Sequence, residues 1–164
     1  MSKIEVNEIA RRSGSSPISI PGHVIQVVQG TYASFTNTTS SSFVDVGLSA
    51  AITPVSSSNK ILVKVAAHGI AQNGATAKTE LALLRGSTII QYALRPVYSA
   101  TSGSGEYITG SCAIEFLDSP STTSATTYKL QFRTRDGGDS TRFNDYHTGD
   151  ERSTSTITLM EIAQ

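Results

Sequence analysis

Apolar and polar residues alternate with a period of two along most of the chain after His23, which is the period of β-strands. The clearest alternation places Lys129, Gln131 and Arg133 opposite an apolar face, so this strand is predicted to have a basic outer face. Such a strand has one face in a core and the other in water. A second strand of this kind is predicted earlier in the chain from aliphatic residues at every other position, namely Val44, Val46, Leu48, Ala50 and Ile52.

Four other segments are apolar on both faces, which requires cover from two sides. The opposing sheet provides one cover, and we expect a second copy of the chain to provide the other. These segments are residues 23–29, 60–70, 80–86 and 88–94.

Together these segments predict an all-β protein, an antiparallel jelly-roll-like β-sandwich of about eight strands. Gly86 lies between two of the strands, at the turn of a predicted hairpin. We expect one domain over residues 23–164, preceded by an arm and linker over residues 1–22. The predicted strands are 23–32, 43–52, 60–70, 79–86, 88–94, 106–117, 127–135 and 154–163.

The composition argues against several classes of partner. Thirteen basic and thirteen acidic residues give a net charge of zero, so we expect no electrostatic attraction to nucleic acid. The chain has no apolar stretch of the length that spans a bilayer, so we expect no membrane insertion. The single cysteine, Cys112, lies in an apolar run and is predicted to be a buried structural thiol.

The first sixteen residues differ from the rest of the chain because they combine charged residues with three aliphatic residues in a short arm. Such an arm cannot build a core alone, and the flexible stretch 13–16 separates it from the β domain. We therefore predict that Ile4, Val6 and Ile9 anchor the chain in a larger partner.

The richest polar loop, residues 136–152, collects side chains that recognise sugars and polar surfaces. Planar hydrogen-bonding groups and aromatic faces match arrays of hydroxyl groups, so the loop is a candidate for contact with a host glycan or protein receptor. The alternatives are a solvated hairpin loop, a metal site formed by its aspartates and contact with a neighbouring subunit. The candidate receptor-contact residues are Arg142, Asn144, Asp145, Tyr146 and His147.

The sequence predicts no enzymatic site. It contains no Gly-x-Ser-x-Gly elbow, no Cys–His arrangement and no phosphate-binding glycine loop that opens a helix. The aspartates of the 136–152 loop do not follow the spacing of an EF-hand. We therefore expect no catalytic residue, no metal and no cofactor.

Three features of the first part of the chain resemble the opening of small bacteriophage virion proteins, notably tail-fibre and related structural proteins. They are the aliphatic peg Ile4 to Ile9, the Arg-Ser-Gly step at 12–14, and the Phe-Val-Asp-x-Gly-Leu core within residues 42–53. The segment that carries the resemblance runs from Ser2 to Val65. It implies an arm that binds another virion protein and a β-sandwich head that forms a homotrimer.

The resemblance implies a protein located in the virion, a short trimeric tail-fibre or fibre-like protein that takes part in host attachment. Only Pro17 to Gly22 separate the arm from the head, whereas a typical fibre has a long shaft there. A capsid decoration protein is therefore the first alternative. The second is a surface-glycan depolymerase or a lectin-like binding module, although the chain lacks the repeats of a parallel β-helix.

Overall fold

The computed structural model describes residues 20–73, 78–98, 107–135, 139–145 and 152–164. Within these ranges every regular element is a β-strand, and none of them contains a helix with the length and apolar character of a membrane span. The strands are β1 (Val24–Tyr32), β2 (Thr36–Thr38), β3 (Val44–Ile52), β4 (Lys60–Asn73), β5 (Lys78–Arg85), β6 (Thr88–Tyr98), β7 (Tyr107–Asp118), β8 (Thr126–Thr134), β9 (Ser140–Phe143) and β10 (Ser155–Ile162).

The strands form two antiparallel sheets that pack against each other. The long strands of sheet A have the order β1-β10-β4-β7. β10 pairs with the first half of β4, the short strand β9 pairs with the end of β4, and β2 pairs with β9. Sheet B has the order β3-β8-β5-β6. Eight long strands divided equally between two antiparallel sheets match the strand count and the layering of a jelly roll. The predicted all-β, jelly-roll-like sandwich is therefore confirmed.

The core lies between the two sheets and is built from alternate residues of their strands. The predicted inward face of β3 is confirmed, because the residues that alternate with it, at 47, 49 and 51, are exposed. Its buried residues are Val46, Leu48, Ala50 and Ile52. The ring of Phe132 in β8 packs edge-on against the ring of Phe143 in β9, with 6.4 Å between the centroids. Burial of each such side chain stabilises the fold by roughly 1.5–3 kcal/mol.

All eight predicted strands are present, and the structure adds two short strands that the sequence did not indicate. β2 and β9 pair with each other, with Thr36 opposite Phe143 and Thr38 opposite Thr141. Both strands are mostly polar and too short to show an alternating apolar pattern.

A β-bulge interrupts β4 at His68 and Gly69. Ala67 pairs with Cys112 but Ile70 pairs with Gly110, so β4 has one residue more than β7 in this interval. Gly69 has a φ of +55°, which is the left-handed region that favours glycine. The bulge turns the carbonyl groups of His68 and Gly69 towards the residues that follow β9.

Of the four segments predicted to be apolar on both faces, only the one in β5 is buried on both. Residues 80–84 of β5 are all buried. In β1 and β6, by contrast, the outward side chains of Val27, Tyr92 and Leu94 are exposed. The predicted second cover for these strands, another copy of the chain, stays a prediction.

Candidate functional site

The structure describes three of the eight residues that the sequence singled out. These are Arg142 in β9, and Asn144 and Asp145 directly after it. The other five lie outside the described residues, and they are Ile4, Val6 and Ile9 of the arm and Tyr146 and His147 of the loop.

Asn144 is fully buried and joins several strands through its side-chain amide. Its Nδ2 donates hydrogen bonds to the carbonyl oxygens of Tyr32 and Ser34, at 2.7 and 3.2 Å. Its Oδ1 accepts a hydrogen bond of 2.6 Å from the hydroxyl of Ser155. Because the residue is buried and its amide bonds to three groups of the protein, Asn144 is not placed for receptor contact.

Asp145 and Arg142 form an ion pair beside the bulge of β4. Nη1 of Arg142 lies 3.1 Å from Oδ2 of Asp145, and the aspartate is only 7% exposed. The backbone N–H of Asp145 donates a 2.9 Å hydrogen bond to the carbonyl oxygen of Gly69. The described start of the 136–152 loop therefore consists largely of groups that hold β9 against β4.

The outer face of sheet A carries a row of apolar side chains, which we call the apolar ridge. Direct cross-strand pairing places Val27 beside Met160, Met160 beside Leu62, and Leu62 beside Leu117. Val27 is 57% exposed and Leu117 is 49% exposed. A continuous apolar row across all four long strands of a sheet is typical of an interaction surface.

A shallow groove of about 460 Å³ lies next to the apolar ridge on the same face. The groove exists because Ala66, Ala113 and Thr156 are small and lie in one cross-strand row. Lys64 and Glu115, whose side chains form a 3.0 Å ion pair, separate this row from the ridge. The outer face of sheet A therefore has an apolar row and a groove side by side.

The outer face of sheet B has the basic row that the sequence predicted, and acidic groups pair with it. Nζ of Lys129 and Nε2 of Gln131 both donate hydrogen bonds to Asp45, at 3.1 and 2.8 Å. Burial acts to raise the pKa of Asp45, but the hydrogen bonds from Lys129 and Gln131 outweigh it and hold that pKa below its usual value. The basic row is therefore largely neutralised at this end of the sheet.

A second groove, of about 390 Å³, opens on sheet B beside β6, and we call it the sheet-B groove. Sequence reasoning missed it because its residues come from four separate parts of the chain. The available signal is the segment 88–94, whose apolar residues predict burial on both faces, although Tyr92 and Leu94 are exposed. The groove is lined by Phe43, Glu80, Tyr92, Leu94, Arg133 and Arg135.

The described residues favour neither metal binding nor reaction at a thiol. No three His, Cys, Asp or Glu side chains among the described residues are grouped to hold a metal ion. Cys112 is partly buried against the core, and burial raises the pKa of its thiol. A raised pKa lowers the thiolate fraction at neutral pH, which makes Cys112 a poor nucleophile.

Comparison with known proteins gives no family for the chain, because no protein-family model and no curated protein matches it. The bacteriophage resemblance of the arm therefore stays an expectation. The two outer faces of the sandwich are the surfaces on which a functional proposal can be built.

Proposed function

We propose that this chain is a structural protein of a bacteriophage particle, a short trimeric fibre-like protein that takes part in host attachment. Its arm binds another virion protein, and its sandwich self-associates and faces the host. The observation that carries the proposal is the apolar ridge on a jelly-roll sandwich. Jelly rolls are used by viral capsid and lectin domains, but a fold alone does not define a function. The ridge supplies the specific surface for assembly.

Other copies of the same chain are the occupants that fit the ridge best. The ridge of one copy can enter the groove beside the ridge of another, since both lie on one face. Lys64 and Glu115 neutralise each other within that face. The chain has a net charge of zero, so its copies do not repel one another at long range.

The ridge also lies close to the place where the arm joins the sandwich. Val24 pairs with Ile162, two residues along β10 from Met160, and Val24 and Ile20 are both exposed. If three ridges meet at a threefold axis, the first described residues of three sandwiches lie near one another. Three arms are then presented to one acceptor, and their combined binding exceeds that of a single arm.

Incorporation into particles tests this function. Particles assembled with the full chain, and with Ile4→Asp combined with Ile9→Asp, are purified and their protein content is quantified by mass spectrometry. We expect the full chain to copurify with particles and the double variant to be lost, because charged side chains cannot fill an apolar acceptor. Asn7→Ala, which changes a polar arm residue, serves as the matched control and is retained. Absence of the full chain from particles, or equal retention of the double variant, contradicts the proposal.

A capsid decoration protein is the second candidate, and the short connection between arm and sandwich favours it. β1 begins at Val24, so few residues separate it from the peg at Ile4 to Ile9. A short connection holds the sandwich close to the surface that the arm binds. An electron cryomicroscopy map of the particle distinguishes the two, since it shows the sandwich on the tail or on the head.

A further inference from the structure

We propose that the sheet-B groove binds saccharides that carry a carboxylate, as in glycans that contain uronic acids. The sugar ring stacks on Tyr92 and the carboxylate pairs with Arg135. The inference deepens the attachment role and in that respect rests on the proposed function. It assigns the contact with the host saccharide to the outer face of sheet B, not to the 136–152 loop.

The base of the groove is a buried carboxylate that fixes an arginine. Glu80 is only 2% exposed, and its Oε2 accepts hydrogen bonds from Nε and Nη2 of Arg133 at 2.9 and 2.7 Å. The guanidinium carbon of Arg133 lies 4.4 Å from the centroid of the Phe43 ring. Two charge-assisted hydrogen bonds to one carboxylate oxygen and the contact with the Phe43 ring order the Arg133 guanidinium before any ligand arrives. Arg133 therefore holds its place in the groove, and the pairing with the ligand falls to Arg135.

An aromatic ring forms the side of the groove. Tyr92 is half exposed, and its ring centroid lies 5.9 Å from that of Phe43 at an interplanar angle of 39°. Tyr92 pairs across the strands with Ala82, which is fully buried, and Leu94 pairs with Glu80. The exposed part of a supported aromatic ring is a platform for the apolar face of a sugar.

The charges of the groove indicate an anionic ligand. Arg135 is half exposed, and its Nη1 lies 3.8 Å from Oε1 of Glu80, which is beyond hydrogen-bond distance. Its donors are therefore available to a ligand. The two guanidinium groups of Arg133 and Arg135 exceed the one carboxylate of Glu80 by a single positive charge. A guanidinium matches the forked geometry of a carboxylate. One carboxylate on the bound sugar therefore balances the excess positive charge of the groove.

Nucleic acid fits the groove less well than an acidic saccharide. Binding to a polyphosphate depends on several basic groups along its backbone. The groove has an excess of one positive charge, and the chain as a whole has none. The observations therefore favour the saccharide.

Calorimetric titration of the purified full chain tests the ligand class. The probes are oligogalacturonate and its fully methyl-esterified form, which has the same sugar ring but no negative charge. We expect the acid to bind and the ester to bind about tenfold more weakly or not at all, because Arg135 loses its ionic partner. Absence of binding by the acid at millimolar concentration overturns the proposal, as does equal binding of the ester. Tighter binding of inorganic phosphate or of an oligonucleotide also overturns it.

Variants of the groove test its residues. Arg135→Gln and Tyr92→Ala are each expected to weaken binding of oligogalacturonate by about tenfold, whereas Tyr92→Phe keeps the ring and retains affinity. Lys129→Gln removes one positive charge from the outer face of sheet B outside the groove and serves as the control. Thermal unfolding midpoints show that each variant is folded. Unchanged affinity of Arg135→Gln overturns the site, and this result is independent of whether the chain enters particles.

Discussion

The hydroxyl of Ser155 donates a 2.6 Å hydrogen bond to Oδ1 of Asn144 inside the sandwich. The hydroxyl oxygen of Ser155 also accepts a 2.9 Å hydrogen bond from the backbone N–H of His68. Nδ2 of Asn144 in turn reaches the carbonyl oxygen at the end of β1, that of Tyr32. β1, β4 and β10 are thus joined through one asparagine, at the point where the 136–152 loop begins.

Asn144→Ala is expected to lower the free energy of unfolding by about 3 kcal/mol or more. The substitution removes the donor to the carbonyl oxygens of Tyr32 and Ser34 and leaves the fully buried hydroxyl of Ser155 without its acceptor. A buried unpaired group costs about 1–3 kcal/mol, and the lost hydrogen bonds add to this cost. Alanine also tolerates the φ of +55° poorly. Urea unfolding followed by circular dichroism measures the change. Asn37→Ala at an exposed position is the control, and an equal loss in both variants contradicts the prediction.

Glu161→Gln is expected to destabilise the protein by about 2–4 kcal/mol, although it preserves shape. Glu161 is fully buried, and both of its oxygens accept hydrogen bonds. The donors are the N–H of Val55, Nδ2 of Asn59 and Nε2 of Gln26. A glutamine amide turns its NH₂ group towards one of these donors in either orientation.

Chemical unfolding of Glu161→Gln is compared with that of Asp45→Asn, whose carboxylate is more than half exposed on sheet B and pairs with Lys129. The exposed variant is expected to change stability by about 1 kcal/mol or less. Similar effects of the two substitutions are inconsistent with a structural role for the buried carboxylate.

Stability is expected to fall at alkaline pH because of Tyr128. Its buried hydroxyl donates a 2.7 Å hydrogen bond to Asp118, which Arg85 also binds. Burial, followed by the hydrogen bond to Asp118, raises the pKa of Tyr128 far above its ordinary value of 10.0. The unfolded chain then loses a proton that the folded chain keeps, so the contribution of Tyr128 to stability is constant below pH 10 and declines above it. The expected slope from this residue is about 1.4 kcal/mol per pH unit.

Urea unfolding from neutral pH to about pH 11.5 measures that slope. Tyr128→Phe is expected to reduce the stability at neutral pH but to give a shallower alkaline decline. Tyr92→Phe, which removes an exposed phenol, is expected to keep the original slope. A decline that Tyr128→Phe leaves unchanged rules out Tyr128 as its source.

Gly30→Ala is expected to destabilise the protein by more than about 2 kcal/mol. A Cβ at this position of β1 would overlap the backbone carbonyl oxygen of Ser49 in β3, and the backbone cannot move aside as a flexible side chain can. Gly86→Ala is the control, since a Cβ there meets open space and only its φ of +58° opposes alanine. Thermal unfolding compares the two, and the prediction fails if Gly86→Ala is the more damaging.

The fold could be predicted because burial of one strand face leaves a period of two in the sequence. The alternation from Val44 to Ile52 corresponds directly to the buried face of β3. The polar node at Asn144 could not be predicted, since a polar residue in a polar loop looks the same whether it is exposed or buried. Its burial depends on the carbonyl groups of Tyr32 and Ser34, which are more than a hundred positions away along the chain. The residues next to Asn144 in the sequence do not show which distant groups it will bind.

The sheet-B groove escaped prediction for a related reason. Glu80 and Arg133 become neighbours only through the pairing of β5 with β8, and Tyr92 joins them through the pairing of β5 with β6. The sequence indicates which residues are apolar on a strand, but it does not show which strands lie at the edge of a sheet. Tyr92 and Leu94 are exposed because β6 is the edge strand of sheet B.

Sedimentation equilibrium of the purified full chain tests the central claim, self-association through the apolar ridge, most directly. The chain is expected to sediment at three times its mass of 17.3 kDa. Val27→Glu, which places a charge on the ridge, is expected to sediment as a monomer, and Ala51→Glu on the outer face of sheet B is expected to remain a trimer. A native chain that sediments at 17.3 kDa, or a trimer that Val27→Glu leaves intact, contradicts the account.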